Sequence, residues 1–309
     1  MKPLLLICGP TACHKSETAL RLAERWGGEI LSIDSVAVYR GMDIGSAKPD
    51  VAERRRIPHH LIDMVDPDDD FSVAAFQQAA DAALQNLMQR GVQPILVGGS
   101  GLYCDAVLED MGYALPSDKD LRSRLERAYD ADPESFFRQM KADDGPSGEK
   151  LHLNDKKRVV RAREVFLLSG KPFSSFNRAY LTAQRRDRYP AIRIGLTMPR
   201  EKLYAAIDDR VDRMMAQGLL SEVKGLKDRG YDRKLPALQA IGYAQLFAYL
   251  DGEVSLDMAV DNIKRATRQF AKRQLTWFRR DERIRWFDCE HYEEAYPKIE
   301  GYVKETIFE

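Results

Sequence analysis

The 309-residue sequence predicts an α/β fold built on a parallel sheet. Residues 4–8 form a continuously apolar run, which is typical of a strand buried on both faces. A helical pattern over residues 15–26 follows, and the Gly27-Gly28 pair provides a signal for its end. A second short strand over residues 29–35 completes a βαβ unit, whose right-handed crossover implies parallel strands.

Composition narrows the class of protein. Hydrophobic residues make up 44% of the chain and charged residues 31%, which is typical of a soluble globular protein. No apolar run is long enough to span a bilayer and no signal peptide precedes the first strand, so we expect a cytoplasmic protein without a membrane partner. The four cysteines are scattered and should be free thiols. Lys+Arg and Asp+Glu number 48 each, so only local clusters bear on nucleic-acid binding.

The remaining elements divide the chain into two parts. We predict a strand over 60–65, a helix over 71–90 that Ser72 caps, and a buried strand that leads into the glycine-rich residues 98–103. After Pro116 the sequence becomes charge-rich and helical in pattern, and a strand returns at 191–197 before further helices to about residue 285. We therefore expect a core formed by 1–116 and 186–309, with a helical insertion over 117–185.

The loop between the first strand and the first helix has the pattern of a phosphate-binding P-loop. It runs from Gly9 to Lys15 and Ser16, immediately before the helical pattern. In such a loop backbone N–H groups surround phosphate oxygens, the lysine adds a charge, and the serine hydroxyl is placed for Mg²⁺. His14 stands where the consensus has glycine, so an ordinary strand–turn–helix remains the alternative. The predicted core is thus P-loop NTPase-like.

Two further features end strands of the same predicted sheet. Asp34 falls at the carboxyl end of the second strand, where open α/β sheets bind ligands. It could hold Mg²⁺ or act as a general base, or it could be a turn or cap residue. Ser100 lies among three glycines at 98–101, which favours either a ligand-binding turn or a tight connection to the next helix.

Basic residues cluster in two helical segments. Between Asp261 and Asp281 the chain has no acidic residue, and the apolar residues at 256, 263, 270 and 277 should form the buried stripe of that helix. A second basic cluster covers 156–163 in the predicted insertion. A solvated face is the simpler interpretation of such runs, but their length favours a polyanion. The five histidines have no metal-ligand spacing.

With these motifs in order, the sequence resembles the tRNA dimethylallyltransferases. The matching segments are GPTA at 9–12, DS at 34–35, VYRGMDIG at 38–45, AKP at 47–49, PHHLID at 58–63, VGGSGLY at 97–103, ND at 154–155 followed by Arg158 and Arg161, AIGY at 240–243, and TRQFAKRQLTWFR at 267–279.

This resemblance implies transfer of a dimethylallyl group from its diphosphate to N6 of the adenosine 3′-adjacent to the anticodon in tRNA. Asp34 would accept the N6 proton and Ser100 would lie at the reacting centre, with Ser16 as a ligand of Mg²⁺. The implied diphosphate-binding residues are Gly9, Thr11, Ala12, Cys13, His14, Lys15, Ser16 and Arg210. The implied tRNA-binding residues are Asp34, Ser35, Val36, Ala37, Arg122, Lys157, Arg158, Val159, Val160, Arg161, Gln239, Gly242, Tyr243, Arg268, Lys272, Arg273 and Arg279. We expect a monomer that binds the anticodon stem-loop.

The sequence departs from the family pattern at three positions near the predicted site. Cys13 replaces a serine, His14 a glycine and Ala37 a glutamine. Two alternatives therefore stay open: a tRNA-binding relative with impaired catalysis, and a prenyltransferase or P-loop kinase that acts on a free adenine nucleotide.

Overall fold

A computed structural model describes residues 3–109, 118–176 and 187–308. The chain forms two compact units, one of residues 1–108 and 189–309 and the other of residues 109–188. The unit boundaries that the sequence predicts, at 116/117 and 185/186, lie outside the described residues. Throughout the described ranges, no helix is both long and apolar enough to cross a bilayer.

The first unit is built on a six-stranded sheet in which every pair of neighbouring strands is parallel. The strands are β1 (Leu4–Cys8), β2 (Gly28–Ile33), β3 (His59–His60), β4 (Gln93–Gly98), β5 (Ala191–Thr197) and β6 (Arg285–Asp288), in the order β3-β2-β4-β1-β5-β6. Cys8 and Ile33 both pair with Gly98. The segments that follow β1, β2 and β4 therefore leave the sheet side by side at its carboxyl edge, and the predicted α/β parallel fold is confirmed.

Helices cover both faces of this sheet. In the first unit they are α1 (Lys15–Trp26), α2 (Val51–Arg56), α3 (Val73–Gln89), α4 (Gly101–Leu108), α10 (Arg200–Ala216), α11 (Leu219–Asp228), a 3₁₀ turn (Pro236–Gln239), α12 (Tyr243–Leu250), α13 (Leu256–Phe278) and α14 (Tyr292–Phe308). Side chains of β1 alternate between two hydrophobic cores: Leu4 and Leu6 lie in one, and Leu5 and Ile7 lie in the other. Burial on both faces explains why this strand is apolar without interruption.

The second unit is helical. Its described helices are α5 (Lys119–Ala131), α6 (Pro133–Asp143), α7 (Gly145–Lys150), α8 (Lys156–Ser169) and α9 (Phe173–Phe176). An aspartate precedes each of the first four, and its carboxylate accepts a backbone N–H of the first turn, as an N-cap does. These helices surround their own hydrophobic core, which includes Tyr129, Phe136 and Met140.

The structure differs from the sequence analysis at three elements of the first unit. The strand predicted over 60–65 ends at His60, because Leu61 and Asp63 have positive φ angles of 65° and 53° that a strand does not accommodate. The edge strand β6 was not predicted, since four residues carry little periodic signal. The core stripe predicted at every seventh residue of α13 is confirmed in part.

Ile263 of the predicted stripe is buried, and Leu256 and Trp277 are partly buried and pack against the same core. The other buried residues of this helix are Ala259, Ala271, Gln274 and Phe278. A seven-residue repeat drifts by about 20° per heptad around a straight helix, so the predicted stripe shifts by about 60° over its length and stays within one broad face. The same face also holds small side chains and a glutamine, which the apolar pattern did not indicate.

Candidate active site

The loop from Gly9 to His14 joins β1 to α1 at the carboxyl edge of the sheet. Gly9, Ala12 and His14 have positive φ angles of 138°, 63° and 54°. A Cβ on Gly9 would lie 2.3 Å from the carbonyl oxygen of Leu196, so only glycine fits there. His14 occupies the N-cap position of α1, but its side chain accepts no hydrogen bond from the helix. The N–H groups of the first turn therefore have no side-chain cap. Such a turn before a helix N-terminus is suited to an anion.

Three charged side chains from distant parts of the chain are electrostatic neighbours at this loop. Burial and, to a smaller extent, nearby Arg210 lower the pKa of Lys15 to about 8, while Asp34 opposes the shift. Burial also lowers the pKa of Arg210, with Asp34 again opposing. The Lys15 ammonium donates to the Pro10 carbonyl oxygen at 2.6 Å. Two cations and one carboxylate therefore interact electrostatically beside a loop that is suited to an anion.

Asp34 is held by its own turn. One carboxylate oxygen, Oδ1, accepts the N–H of Val36 at 2.7 Å and that of Ala37 at 3.2 Å. This is the turn role left open by the sequence, and it orients the carboxylate without neutralising it. Since only Oδ1 is engaged in these two bonds, Oδ2 is the atom that suits a proton acceptor.

Ser100 connects the glycine-rich turn to the Asp34 segment. Its Oγ accepts the backbone N–H of Ser35 at 3.2 Å and lies 3.3 Å from the Ser35 hydroxyl oxygen. Gly98 must lack a side chain, because a Cβ there would approach the Ile33 carbonyl oxygen to 2.0 Å. The three predicted features of loop, carboxylate and glycine-rich turn are thus brought to one place.

Gln274 of α13 is a residue of this site that sequence reasoning missed. Its Oε1 accepts the N–H of Thr11 at 3.0 Å, and its Nε2 donates to the carbonyl oxygen of Gly99 at 3.0 Å. The side chain is buried and so joins the phosphate loop to the glycine-rich turn. One turn later the Trp277 indole N–H donates to Asp105 at 3.0 Å. The sequence signals for it were a neutral amide within a basic run and its place in the segment 267–279 that matches the family pattern.

The remaining predicted loop residues contribute through different groups. The Cys13 side chain is buried in the core, and burial raises its thiol pKa to about 11, so only its backbone is available to a ligand. The Ser16 side chain, in the first turn of α1, is exposed. Thr11 has its N–H engaged by Gln274. Within the described ranges, no group of three or more His, Cys, Asp or Glu residues could hold a metal ion by itself.

The predicted RNA-facing residues of α13 differ in their availability. Lys272, Arg273 and Arg279 are exposed. Arg268 instead forms an ion pair with Asp208 of α10, on the neighbouring helix. The exposed cationic surface of this helix is therefore concentrated in its C-terminal half, in the same turns as the buried Gln274.

Three residues assigned to the tRNA surface have buried side chains, and this assignment is corrected. Val159 and Val160 pack in the core of the second unit, where they form the inner face of α8. Tyr243 is fully buried in the first unit, and its hydroxyl donates to Glu222 at 2.7 Å. Burial takes these three side chains away from any ligand on the surface.

The other residues predicted to contact RNA also include both exposed and buried ones. Lys157, Arg158 and Gln239 are exposed, while Ala37 and Gly242 are buried. Arg122 and Arg161 share the buried carboxylate of Glu164, and so they also stabilise the second unit. Ser35 and Val36 belong to the turn that Asp34 holds.

The fold and the loop together define a class: a parallel α/β protein whose first strand leads through a lysine-bearing loop, suited to an anion, to a helix N-terminus. A family model described as IPP transferase matches residues 37–281. The chain therefore belongs to the IPP transferase family.

Individual relatives agree with this membership. The tRNA dimethylallyltransferase of Desulforudis audaxviator is 47% identical over 292 residues, which cover 93% of this chain and 92% of the relative. The protein of the same name from Geobacter metallireducens is 48% identical over 286 residues, covering 92% of each chain.

Solved structures give the same result. The full-length tRNA isopentenylpyrophosphate transferase of Bacillus halodurans superposes with a TM-score of 0.73 and 39% identity, covering 99% of this chain and 97% of that one. A eukaryotic dimethylallyltransferase described as acting on tRNA superposes with a TM-score of 0.79 and 26% identity, covering 93% of this chain and 74% of that one.

Proposed function

We propose that this chain transfers a dimethylallyl group from dimethylallyl diphosphate to N6 of the adenosine 3′-adjacent to the anticodon in tRNA. The observation that carries the proposal is the electrostatic interaction of Lys15, Arg210 and Asp34 beside the loop of residues 9–14. An allylic diphosphate needs cations at its leaving group, and an amine nucleophile needs an acceptor for its proton. The site offers both in a chain whose relatives are named for this reaction.

The diphosphate would bind to backbone N–H groups of the loop and to the two cations. Lys15 would exchange its bond to the Pro10 carbonyl oxygen for a bond to phosphate. Such binding favours the charged ammonium, which burial disfavours in the ligand-free protein. The cations then stabilise the negative charge that grows on the leaving group as the bond from carbon to oxygen breaks.

Asp34 would act on the adenosine. As the bond between the exocyclic N6 and the allylic carbon forms, N6 loses one proton, and Asp34 Oδ2 accepts it. The two N–H groups on Oδ1 fix the carboxylate, so the acceptor needs no reorganisation during the reaction. Ser100, which is held against Ser35, would position the segment that carries Asp34.

Mg²⁺ fits the oxygen atoms of this site. Ser16 offers a hydroxyl at the uncapped end of α1, and diphosphate oxygens and water would supply the remaining ligands, as is usual for this ion. When bound, the ion would neutralise part of the diphosphate charge. The RNA backbone would bind to the exposed basic surface of α13, at Lys272, Arg273 and Arg279, and to Lys157 and Arg158 of the second unit.

The test is prenyl transfer from labelled dimethylallyl diphosphate to an anticodon stem-loop RNA. We expect product with the natural chain and none when the target adenosine is replaced by purine riboside, which lacks the N6 amine. Asp34→Asn should lower kcat by roughly 10²–10⁴-fold. Asp69→Asn is the matched control, because Asp69 is an exposed aspartate that holds a turn elsewhere.

Two results would contradict the proposal. Absence of product at high enzyme concentration, together with RNA binding, would favour the impaired relative. Prenylation of free adenine nucleotides in preference to RNA would favour the small-molecule alternative.

A further inference from the structure

His14 adopts a backbone conformation that its position reserves for glycine. Its φ of 54° and ψ of 18° lie in the left-handed region, where an L residue is strained, although histidine tolerates it better than most. The preceding Cys13 is buried, and the ammonium of the following Lys15 donates to the Pro10 carbonyl oxygen of the same loop. Any departure of His14 from this conformation would therefore move the loop N–H groups that face a diphosphate.

Tyr292, the first residue of α14, holds the His14 ring. The two rings are stacked with their centroids 4.4 Å apart and their planes 9° from parallel. Tyr292 is 7% exposed, so its ring is fixed by the surrounding core. On its other side, His14 Nδ1 lies 3.0 Å from a Glu17 carboxylate oxygen. The histidine ring is thus confined although it lies near the surface.

Thr18 links the same two residues through hydrogen bonds. Its hydroxyl donates to the His14 carbonyl oxygen at 2.8 Å and lies 3.0 Å from the Tyr292 hydroxyl. Because a threonine hydroxyl has one hydrogen, Tyr292 must be the donor in the second bond. Backbone, hydroxyl and ring contacts therefore connect the loop to the beginning of α14.

We propose that Tyr292 is a positioning residue for the phosphate loop, which it holds in its anion-binding conformation by stacking on His14. The inference rests on the proposed function in one respect, namely that the loop binds a diphosphate. A glycine at position 14 would offer no ring and would need no such support. The stacked pair compensates in this chain for the histidine that replaces the loop glycine.

The test is a double-mutant cycle on the binding of inorganic pyrophosphate in the presence of Mg²⁺, measured by calorimetry. Tyr292→Leu should weaken pyrophosphate binding by ~3- to 10-fold, the range expected for one lost aromatic stack. The same substitution in a His14→Gly background should change the affinity by less than about twofold, since no ring remains to be supported. Tyr292→Phe, which keeps the ring and loses the hydroxyl, should have a smaller effect than Tyr292→Leu.

Tyr296→Leu is the matched control. Tyr296 lies one turn further along α14 and packs against Arg21, whose guanidinium carbon is 3.6 Å from its ring centroid, but its ring is not stacked on His14. The Tyr296→Leu variant should bind pyrophosphate with an affinity within about twofold of the natural chain. Amide hydrogen exchange over residues 10–16 should accelerate in Tyr292→Leu but not in Tyr296→Leu. Equal melting temperatures for the two leucine variants would separate the loop effect from a general loss of stability.

Several results would overturn the inference. It fails if Tyr292→Leu binds pyrophosphate like the natural chain, if the loss is equally large without the His14 ring, or if Tyr296→Leu shows the same loss. Failure of the natural chain to bind pyrophosphate would overturn it as well. A chain that binds pyrophosphate and responds as expected, but transfers nothing to RNA, would contradict the proposed reaction and leave this inference standing.

Discussion

Gln274 permits a quantitative test of how the site is held together. Replacing it by methionine keeps the approximate volume of the side chain but removes both hydrogen bonds. The N–H of Thr11 and the carbonyl oxygen of Gly99 would then lose their partner in a buried environment. At roughly 1–3 kcal/mol for each unsatisfied group, and with partial access of water to the loop, we expect a loss of about 2–4 kcal/mol in the free energy of unfolding.

Urea denaturation followed by tryptophan fluorescence measures this loss. All three tryptophans, Trp26, Trp277 and Trp286, belong to the first unit, so the signal reports that unit alone. Lys272→Met is the matched control: the same side chain is introduced two residues away at an exposed position, where we expect a change within about 0.5 kcal/mol. A Gln274→Met variant within about 0.5 kcal/mol of the natural chain would refute the argument.

Three further predictions concern the ligands and the loop. Because the pKa of Lys15 is lowered to about 8, its positive charge is lost as the pH rises through 8. Calorimetric titrations should therefore show that pyrophosphate affinity falls across that pH range, and that it falls more steeply in the natural chain than in Lys15→Met. Lys272→Ala should weaken binding of the stem-loop RNA and reduce the slope of log affinity against log salt concentration by about one. Arg268→Ala should have less effect, because Arg268 is already paired with the Asp208 carboxylate. Equal slopes for the two variants would contradict this. Gly9→Ala should abolish pyrophosphate binding, since the new methyl group would overlap a carbonyl oxygen of the neighbouring strand, and unchanged affinity would contradict that geometry.

Local signals explain which elements could be predicted from the sequence. The α1 helix begins at Lys15 and ends at Trp26 as expected, and Gly27 has the left-handed conformation of a C-cap. The β5 strand covers Ala191–Thr197 as predicted. In each case the pattern and its end signal lie within a few neighbouring residues, so no distant contact was needed to recognise them.

The contacts that complete the site could not be predicted in this way. Gln274 and Thr11 are 263 residues apart, and Tyr292 and Thr18 are 274 apart. Within its own segment Gln274 is a polar residue among cations, which favours solvent exposure, while its burial depends on the loop and turn that it joins. Tyr243 shows the opposite error, since a motif resemblance placed on the RNA surface a side chain that the core encloses.

The arrangement of α13 has a mechanistic consequence. Lys272 and Gln274 are separated by two positions, which places them about 200° apart around the helix axis. One faces solvent on the proposed RNA surface, and the other is bonded to the phosphate loop. Because a helix moves as a rigid element, a displacement of α13 by bound RNA would shift the Gln274 amide relative to Thr11. In Gln274→Met that connection is removed, so pyrophosphate affinity should differ less between RNA-free and RNA-bound enzyme than it does in the natural chain. In Lys272→Met, by contrast, the connection remains and only the RNA affinity should change.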